Sequence, residues 1–515
     1  MKKTMSYLFS TAILLHACAK KDVDQTDPTQ KNETAVTERV SAPGDVVGKV
    51  TVGYQGWFTA KGDGSPENGW GHQNIESWPD VSEYTTTYQT TLPNLGNGQP
   101  ARMFSSWDQS TVNKHFEWMQ QYNIDCAALQ RFCNEITPGS LIKQFRDGMA
   151  QRVRNASQTY SRKFYIMYDA SGWGNLQVIK DDWTNTITGS LNLLSSPAYA
   201  IQNGKPVVSI YGLGYTGHPS NVTQALDLIN WFKAQGCYVI GSVPGAWRTG
   251  NGDSKAGFEE AYKAFNMISG WPVGRPVDGS YAPWVAGDRD FCLANNMDYQ
   301  PAAYPGTSFH NSNAGSPMNQ FPRNHGNFFW SQFATFRNAG VTSAYIAMFD
   351  EVNEATQIFK TAENTSQIPS SMWYLTLDAD GINCSSDFYL RLVRDGGKML
   401  KGLTPYTTTH PTPHTLSDTT GTTPDTTGVI FYADANYGGS AGEPLHVGNY
   451  TLSQLAALSV PNDWASSVHV PAGRILIMYS DDNYSGQSWT LTGDAPNFVN
   501  LRPNANDKIS SCRVQ

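Results

Sequence analysis

The sequence predicts an α/β protein, a (β/α)8 TIM barrel followed by a smaller all-β Greek-key domain. Three observations predict it. Apolar runs alternate with amphipathic helical stretches between residues 46 and 402, the pattern of a wound parallel sheet. Residues 403–428 are rich in Thr and Pro with almost no aliphatics, the composition of a linker. Residues 429–515 carry an internal repeat of short strands and Gly turns. The chain has 515 residues, enough for more than one domain. Aromatic content of 12% beside charged content of 16% suits stacking on sugar rings as well as core packing. A net charge of -8 and the lack of a basic run argue against nucleic acid.

At the N-terminus, Lys2 and Lys3 precede an apolar stretch from Met5 to Leu15, too short to span a bilayer as a mature helix. Leu15-His16-Ala17-Cys18 resembles a bacterial lipoprotein cleavage box. The resemblance implies a signal peptide over 1–18 and a lipid on Cys18. The expected location is therefore the outer membrane, on its periplasmic or cell-surface side. His16 stands where a small or aliphatic residue is usual, which leaves plain secretion open. Residues 19–45 are polar and read as a flexible tether. Seven cysteines are scattered without a C-x-x-C or Cys/His cluster, so no zinc site is expected. Disulfides and buried free thiols are both compatible with export.

Nine candidate strands follow in order. They are Val50–Tyr54, Ala101–Ser106, Asp125–Gln130, Phe164–Tyr168, Pro206–Tyr211, Cys237–Val243, Val277–Tyr281, Gln300–Tyr304 and Ser343–Phe349. Stretches 111–122, 221–235 and 328–339 read as helices. An eight-stranded barrel leaves one candidate as a connection or an extra hairpin.

Polar and aromatic residues gather just past the strand ends, where a barrel collects its chemistry at one mouth. Candidate substrate contacts are Tyr54, Trp57, Trp70, His72, Trp107, Asp169, Asp278, Tyr304 and Asp350. The last run ends abruptly in Asp350-Glu351-Val-Asn-Glu354. A buried strand does not end in three carboxylates for packing, because each loses solvation unless paired. A helix N-terminus, where acids meet the positive end of the dipole, is the structural alternative.

Two motifs are set aside. Gly212-Leu-Gly214-Tyr-Thr-Gly217 matches G-x-G-x-x-G, but the next strand runs into Pro-Gly-Ala-Trp247 rather than an acid. Gly438-Gly-Ser440-Ala-Gly442 matches G-x-S-x-G outside any strand-turn-helix context.

In the C-terminal region Tyr432-Ala-Asp-Ala-Asn-Tyr437-Gly-Gly439 recurs as Tyr479-Ser-Asp-Asp-Asn-Tyr484-Ser-Gly486. Asn462-Asp463-Trp-Ala-Ser466-Ser467 recurs as Asn506-Asp507-Lys-Ile-Ser510-Ser511. Both repeats resemble the βγ-crystallin fold and its calcium motif. The resemblance implies calcium held by Asp463, Ser466, Asp507 and Ser510 with main-chain carbonyls. Carboxylate, hydroxyl and carbonyl oxygens suit this hard cation.

Phe349-Asp-Glu351-Val-Asn-Glu354-Ala-Thr-Gln-Ile358 resembles the F-N-E-W-H-E-G-T-Q-I signature of glycoside hydrolase family 99 and its family 71/99-like relatives. Val52-Gly-Tyr-Gln-Gly-Trp-Phe58, His115-Phe-Glu-Trp-Met119, Val277-Asp278-Gly-Ser-Tyr281 and Pro301-Ala-Ala-Tyr-Pro-Gly306 resemble further segments of that family in the same order. The resemblance implies a retaining endo-α-mannosidase-like enzyme on a (β/α)8 barrel, with no cofactor for catalysis. It implies Glu351 as the base assisting attack of the sugar's own 2-hydroxyl, Glu354 as the general acid, and Tyr281 as the group orienting the first carboxylate. Val352-Asn353 stand where the family has Trp-His, Ala355 where it has Gly, and Asp350 where it has Asn. These positions border the substrate and leave the sugar open. The expectation is a monomeric glycoside hydrolase of a polysaccharide or glycan. The alternatives are a non-catalytic surface glycan-binding lipoprotein and a calcium-stabilised adhesion protein.

Overall fold

The computed structural model describes residues 40–313, 315–370, 372–415, 428–471 and 473–515. The expected signal peptide, Cys18 and most of the tether lie outside the described residues. Among these residues, no helix is long and apolar enough to cross a membrane.

Eight parallel strands form the first unit: β1 Val50–Tyr54, β2 Cys126–Phe132, β3 Lys163–Asp169, β4 Lys205–Tyr211, β5 Tyr238–Val243, β6 Met267–Gly270, β7 (residues 298–303) and β8 Ala344–Ile346. The ring closes at β7. Its first half, Asp298–Tyr299, pairs with β6, and its second half, Ala302–Ala303, pairs with β8, which pairs in turn with β1. One helix follows each strand: α1 Gln109–Gln121, α2 Leu141–Thr159, α3 Gln177–Asp182, α4 Val222–Ala234, α5 Glu259–Lys263, α6 Tyr281–Ala294, α7 Asn327–Asn338 and α8 Phe388–Leu400.

Local chemistry explains the helix starts. Ser140 caps α2 by accepting from Lys143 N. Asn221 and Gln224 make a reciprocal capping box on α4, at 2.9 and 3.0 Å, satisfying two backbone donors that have no intrahelical partner. Phe145, Met149, Val153 and Ala156 recur at helical spacing and form the buried face of α2.

Two of the nine candidate strands are not barrel strands. Within Ala101–Ser106, Arg102–Met103 pairs antiparallel with Tyr88–Gln89 in an outlying hairpin. Val277–Tyr281 is a turn in which Ser280 N and Oγ both donate to Asp278 Oδ1, and it leads into α6. The strand omitted from the candidates is β6, only four residues long and followed by Trp271-Pro272.

Residues expected in the tether and linker also meet the barrel. Ser41 N donates to Asp298 Oδ1 at 2.9 Å, and Gln202 Nε2 to Ala42 O at 3.0 Å. Residues 403–415 lie along α7 and α8. There Trp330 Nε1 donates to Thr407 O and Arg391 Nη1 to Pro413 O. The rest of the expected linker, 416–427, lies outside the described residues. The six cysteines among the described residues are buried free thiols.

From Val429 onward the chain forms two antiparallel sheets. One orders Gly438–Ala441, Ile430–Asp434 and Ser467–His469. The other orders Gly448–Tyr450, Ser511–Val514, Leu476–Asp481 and Ser485–Leu491. Strand Gly448–Tyr450 of the first sequence half thus joins the sheet of the second half. A core of Val429, Phe431, Leu455, Met478 and Phe498 lies beneath.

The barrel interior is tight at Gly53. A Cβ there would fall 2.2 Å from the Tyr345 hydroxyl and 2.3 Å from Met348 Sδ. Gly53→Ala is expected to destabilise the barrel by about 2 kcal/mol through overpacking, measured as a lower urea midpoint. An unchanged midpoint would show that the interior has room for the methyl group.

Candidate active site

β8 ends in a buried turn of acids. Phe349 N donates to Gly53 O at 2.8 Å, tying the exit of β8 to β1. Within the turn, Val352 N donates to Asp350 O and Thr356 N to Glu351 O. Ala355 sits in the left-handed region at φ 53°. For a residue with a Cβ this conformation costs about 1–2 kcal/mol. Arg323 Nη2 holds it there by donating to the Ala355 and Gln357 carbonyls at 2.9 and 2.8 Å.

The three carboxylates have different surroundings. Asp350 is 0% exposed, and its two oxygens accept from Gln55 N and Gly56 N at 2.8 and 2.9 Å. Burial raises it to about 6 against these donors. It is therefore a strut between β8 and β1, both its oxygens taken up by backbone donors. Glu351, 2% exposed, accepts from Gln55 Nε2 at 2.9 Å and from Asn353 N at 3.1 Å. Burial, then the charges of Glu354 and Asp350, push it up. Glu354 is half-buried, and among the described residues no group donates to its carboxylate. Burial raises it to about 7. Two neighbouring carboxyls in a dry site hold one proton between them near neutrality. The donors on Glu351 oppose the rise that burial and the neighbouring carboxylates impose on it, and the proton belongs to the pair.

Aromatic and polar side chains surround this pair. Strand register sets Phe132 beside Asp169 and Asp169 beside Tyr211 at one level of the mouth. Trp57 stacks on Phe132 with centroids 5.5 Å apart. Arg146, paired to Glu135 at 2.5 Å, lies over both rings and donates to Gln55 O. Across the mouth Tyr211 packs on Trp271 and Tyr215, at 5.1 and 5.2 Å. Burial and then the Asp169 carboxylate, with Glu354 further down the order, push the Tyr211 hydroxyl up. Asp169 is 6% exposed, bonded to Ser171 N, and raised by burial. The buried atoms Gln55 Oε1, Trp57 Nε1 and Asn353 Oδ1 have no partner among the described residues. Buried polar atoms are rarely left so, and these three belong to residues just past β1 or in the acid turn itself.

The structure thus brings Glu351, Glu354, Trp57 and Asp169 to the mouth. Trp70 and His72 lie on the adjacent loop, where Asn353 Nδ2 donates to Gln73 O. His72 stacks on Phe58, and burial lowers it to about 3, so it is neutral. The remaining candidates are elsewhere. Tyr54 turns outward and is 0% exposed, its hydroxyl bonded to His115 Nδ1 on α1 at 2.9 Å. Trp107 stacks on Phe145 of α2 beneath the Arg152 guanidinium. Asp278 is an exposed turn residue. Tyr304 is buried, and its hydroxyl donates to Arg275 O. Tyr281 packs on Trp284 and Phe336, and no described bond connects it to Glu351. Its segment is a turn entering α6 rather than a barrel strand, and its buried hydroxyl has no partner among the described residues. Tyr211 and Trp271 were absent from the candidates. Tyr211 ends a strand that was recognised, whereas Trp271 follows the one that was not.

The C-terminal repeats form a second candidate site. Asp463 and Asp507 both take positive φ, near 51° and 52°. Ser466 Oγ of the first loop lies 3.4 Å from Asp507 Oδ1 of the second. Ser510 Oγ of the second loop lies 2.7 Å from Asn462 Oδ1 of the first and 2.8 Å from Ser480 O. Each loop therefore brings oxygen atoms to the other, a donor set that fits a hard cation.

No protein-family model matches the chain. A GH99 endo-α-mannosidase from Bacteroides thetaiotaomicron is similar in fold. It has TM-score 0.51 and 13% identity, over 69% of this chain and 98% of that one. This likeness extends to the fold alone. A βγ-crystallin domain from Clostridium beijerinckii is 48% identical over 17% of this chain and 94% of its own length, with TM-score 0.16. Development-specific protein S from Myxococcus xanthus is 40% identical over 67 residues. The chain spans 36% of that protein's length.

Carboxyls raised by burial bind protons more tightly in the folded chain than in the unfolded one. Their contribution to stability is present near pH 4 and is lost as pH rises through about 7. Glu354→Gln removes one of them. Its melting temperature, measured against that of the native chain from pH 4.5 to 8, is expected to gain as pH rises. A constant difference between the two would show that Glu354 is already ionised in the folded state at the lower end.

Proposed function

We propose that this chain is a retaining glycoside hydrolase acting on a polysaccharide or glycan, with Glu351 and Glu354 as its working pair. The observation that carries this is the contrast between two glutamates on one turn at the C-terminal end of β8. Glu351 is gripped by donors that favour its carboxylate. Glu354 has none and is raised to about 7. Glycoside cleavage needs one ionised and one protonated carboxyl, which two coupled carboxyls sharing a proton supply.

In this reading, Glu354 protonates the leaving glycosidic oxygen. Glu351 takes the proton from the sugar's 2-hydroxyl as that oxygen attacks C1. Water then opens the 1,2-anhydro intermediate, with Glu354 acting as base and Glu351 returning the proton. Trp57, Tyr211 and Trp271 offer faces for sugar rings at the same mouth, and Asp169 accepts from hydroxyl groups. The sequence resemblance points to an α-mannosidic bond, while Val352 and Asn353 depart from it where the substrate would pass.

The test is a hydrolysis screen of residues 40–515 against α-mannans, α-glucans, and plant and host glycans. Native chain should cleave one class, and Glu351→Gln and Glu354→Ala should each lower kcat by about 10³-fold, within the range of acid–base catalysis. Activity should fall as pH rises above about 7, when Glu354 loses its proton. Cleavage surviving in both variants would assign the chemistry to other carboxylates. Retention on one glycan without cleavage would favour the binding protein.

We also infer that the C-terminal loops bind calcium through Asp463, Ser466, Asp507 and Ser510 with backbone carbonyls. Bound calcium would clamp the two repeats together. Saturating calcium should raise the melting temperature of the C-terminal transition, as any ligand of the native state does. Asp463→Ala with Asp507→Ala should abolish the rise. A transition indifferent to calcium in the native chain would overturn this reading.

A further inference from the structure

We propose that Glu76 is the positioning residue of the acid turn, setting Glu351 and Glu354 against each other without touching substrate. This rests on the glycosidase reading for its catalytic meaning but on hydrogen bonds alone for its geometry. Glu76 lies in a loop remote in sequence from the turn and is 0% exposed. Its backbone grips one side of the turn: Glu76 N donates to Val352 O, the residue after Glu351, at 2.8 Å. Its side chain grips the other side through an intermediate loop. Glu76 Oε2 accepts from Ser308 Oγ at 2.8 Å, and Oε1 accepts from Asn311 N and Ser312 N at 2.5 and 3.2 Å. The same loop holds Glu354, because Ser308 N and Thr307 Oγ1 both donate to Glu354 O, at 2.9 and 2.7 Å. One residue thus links the carbonyls of Val352 and Glu354 across the two glutamates.

This arrangement exceeds what packing needs. A buried carboxylate is costly unless its oxygens are well supplied with donors, and a hydrophobic side chain could fill the same volume. A charged acceptor here orders three donors that would otherwise leave loop 307–312 loose. Glu354 has no donor of its own on its carboxylate, so its position depends on its backbone. That backbone is held by the loop Glu76 orders. A misplacement of about 1 Å in such a pair can lower the rate by about 10²-fold.

The test compares Glu76→Ala, Glu76→Gln and Ser308→Ala in the 40–515 chain, by hydrogen exchange and by kinetics on whichever glycan the native chain cleaves. Glutamine keeps an acceptor for the two N–H groups and a donor for the Ser308 hydroxyl. Glu76→Ala should speed exchange in peptides covering both 307–312 and 350–356, and lower kcat by about 10²-fold with KM within about threefold. Ser308→Ala should show the same pattern more weakly, and Glu76→Gln should restore both readouts. Unchanged exchange at 350–356 in Glu76→Ala would overturn the proposal. So would faster exchange with unchanged kcat, or equal losses in the alanine and glutamine variants. If Glu76→Ala does not fold, Ser308→Ala against Glu76→Gln decides by the same criteria. If the native chain cleaves no glycan, the enzyme reading fails by itself, and exchange at 350–356 alone upholds or overturns the clamp.

Discussion

Two backbone N–H groups, those of Gln55 and Gly56, hold the buried carboxylate of Asp350, and the mouth of the barrel is arranged around that contact. It joins the end of β8 to the end of β1, the seam where the chain's first and last barrel strands meet. Once Gln55 is fixed through its backbone, its side-chain amide is placed to donate to Glu351, and its carbonyl to accept from Arg146. Arg146 in turn lies over Phe132 and Trp57. A single carboxylate, unavailable to substrate, thereby positions an acid, an amide and an aromatic face.

The same seam separates the behaviour of the two glutamates. Both are raised by loss of water, but only Glu351 has donors to stabilise its charge. Glu354 and Asp169 both act on the Tyr211 hydroxyl, Asp169 the more strongly. Charge pairing elsewhere is structural: Arg131 is bound to Asp182 and Asp147 outside the strands, together with the Tyr168 hydroxyl. The mouth is consequently rich in acids and aromatics, and burial raises the carboxyls of Asp169, Asp350, Glu351 and Glu354.

Much of this was legible in the residues. Apolar runs marked seven of the eight strands, and the Asp350-Glu351-Val-Asn-Glu354 turn stood out because apolar strands do not end so for packing. The misplacements have physical causes. Met267-Ile-Ser-Gly270 is too short to register as a run, so β6 was missed along with Trp271. Val277–Tyr281 has strand-like composition, but Asp278 captures Ser280 and turns the chain into a helix. Tyr54 and Gln55 are neighbours with opposite fates. When both faces of a strand are buried, composition does not reveal which parity points into the barrel.

By itself the sequence determined the alternation of strands and helices, the repeat after residue 429, and the two glutamates on one turn, because each is written in contiguous residues. Tertiary structure decided which side chains meet those glutamates. Direct pairing of β8 with β1 brings Gln55 to Glu351, and the register of β2, β3 and β4 sets Phe132, Asp169 and Tyr211 level. The loop following β7 brings Ser308 to both Glu76 and Glu354. These partners are about 40 to nearly 300 residues apart along the chain. Strand pairing and the loops it positions, not proximity along the chain, make them neighbours.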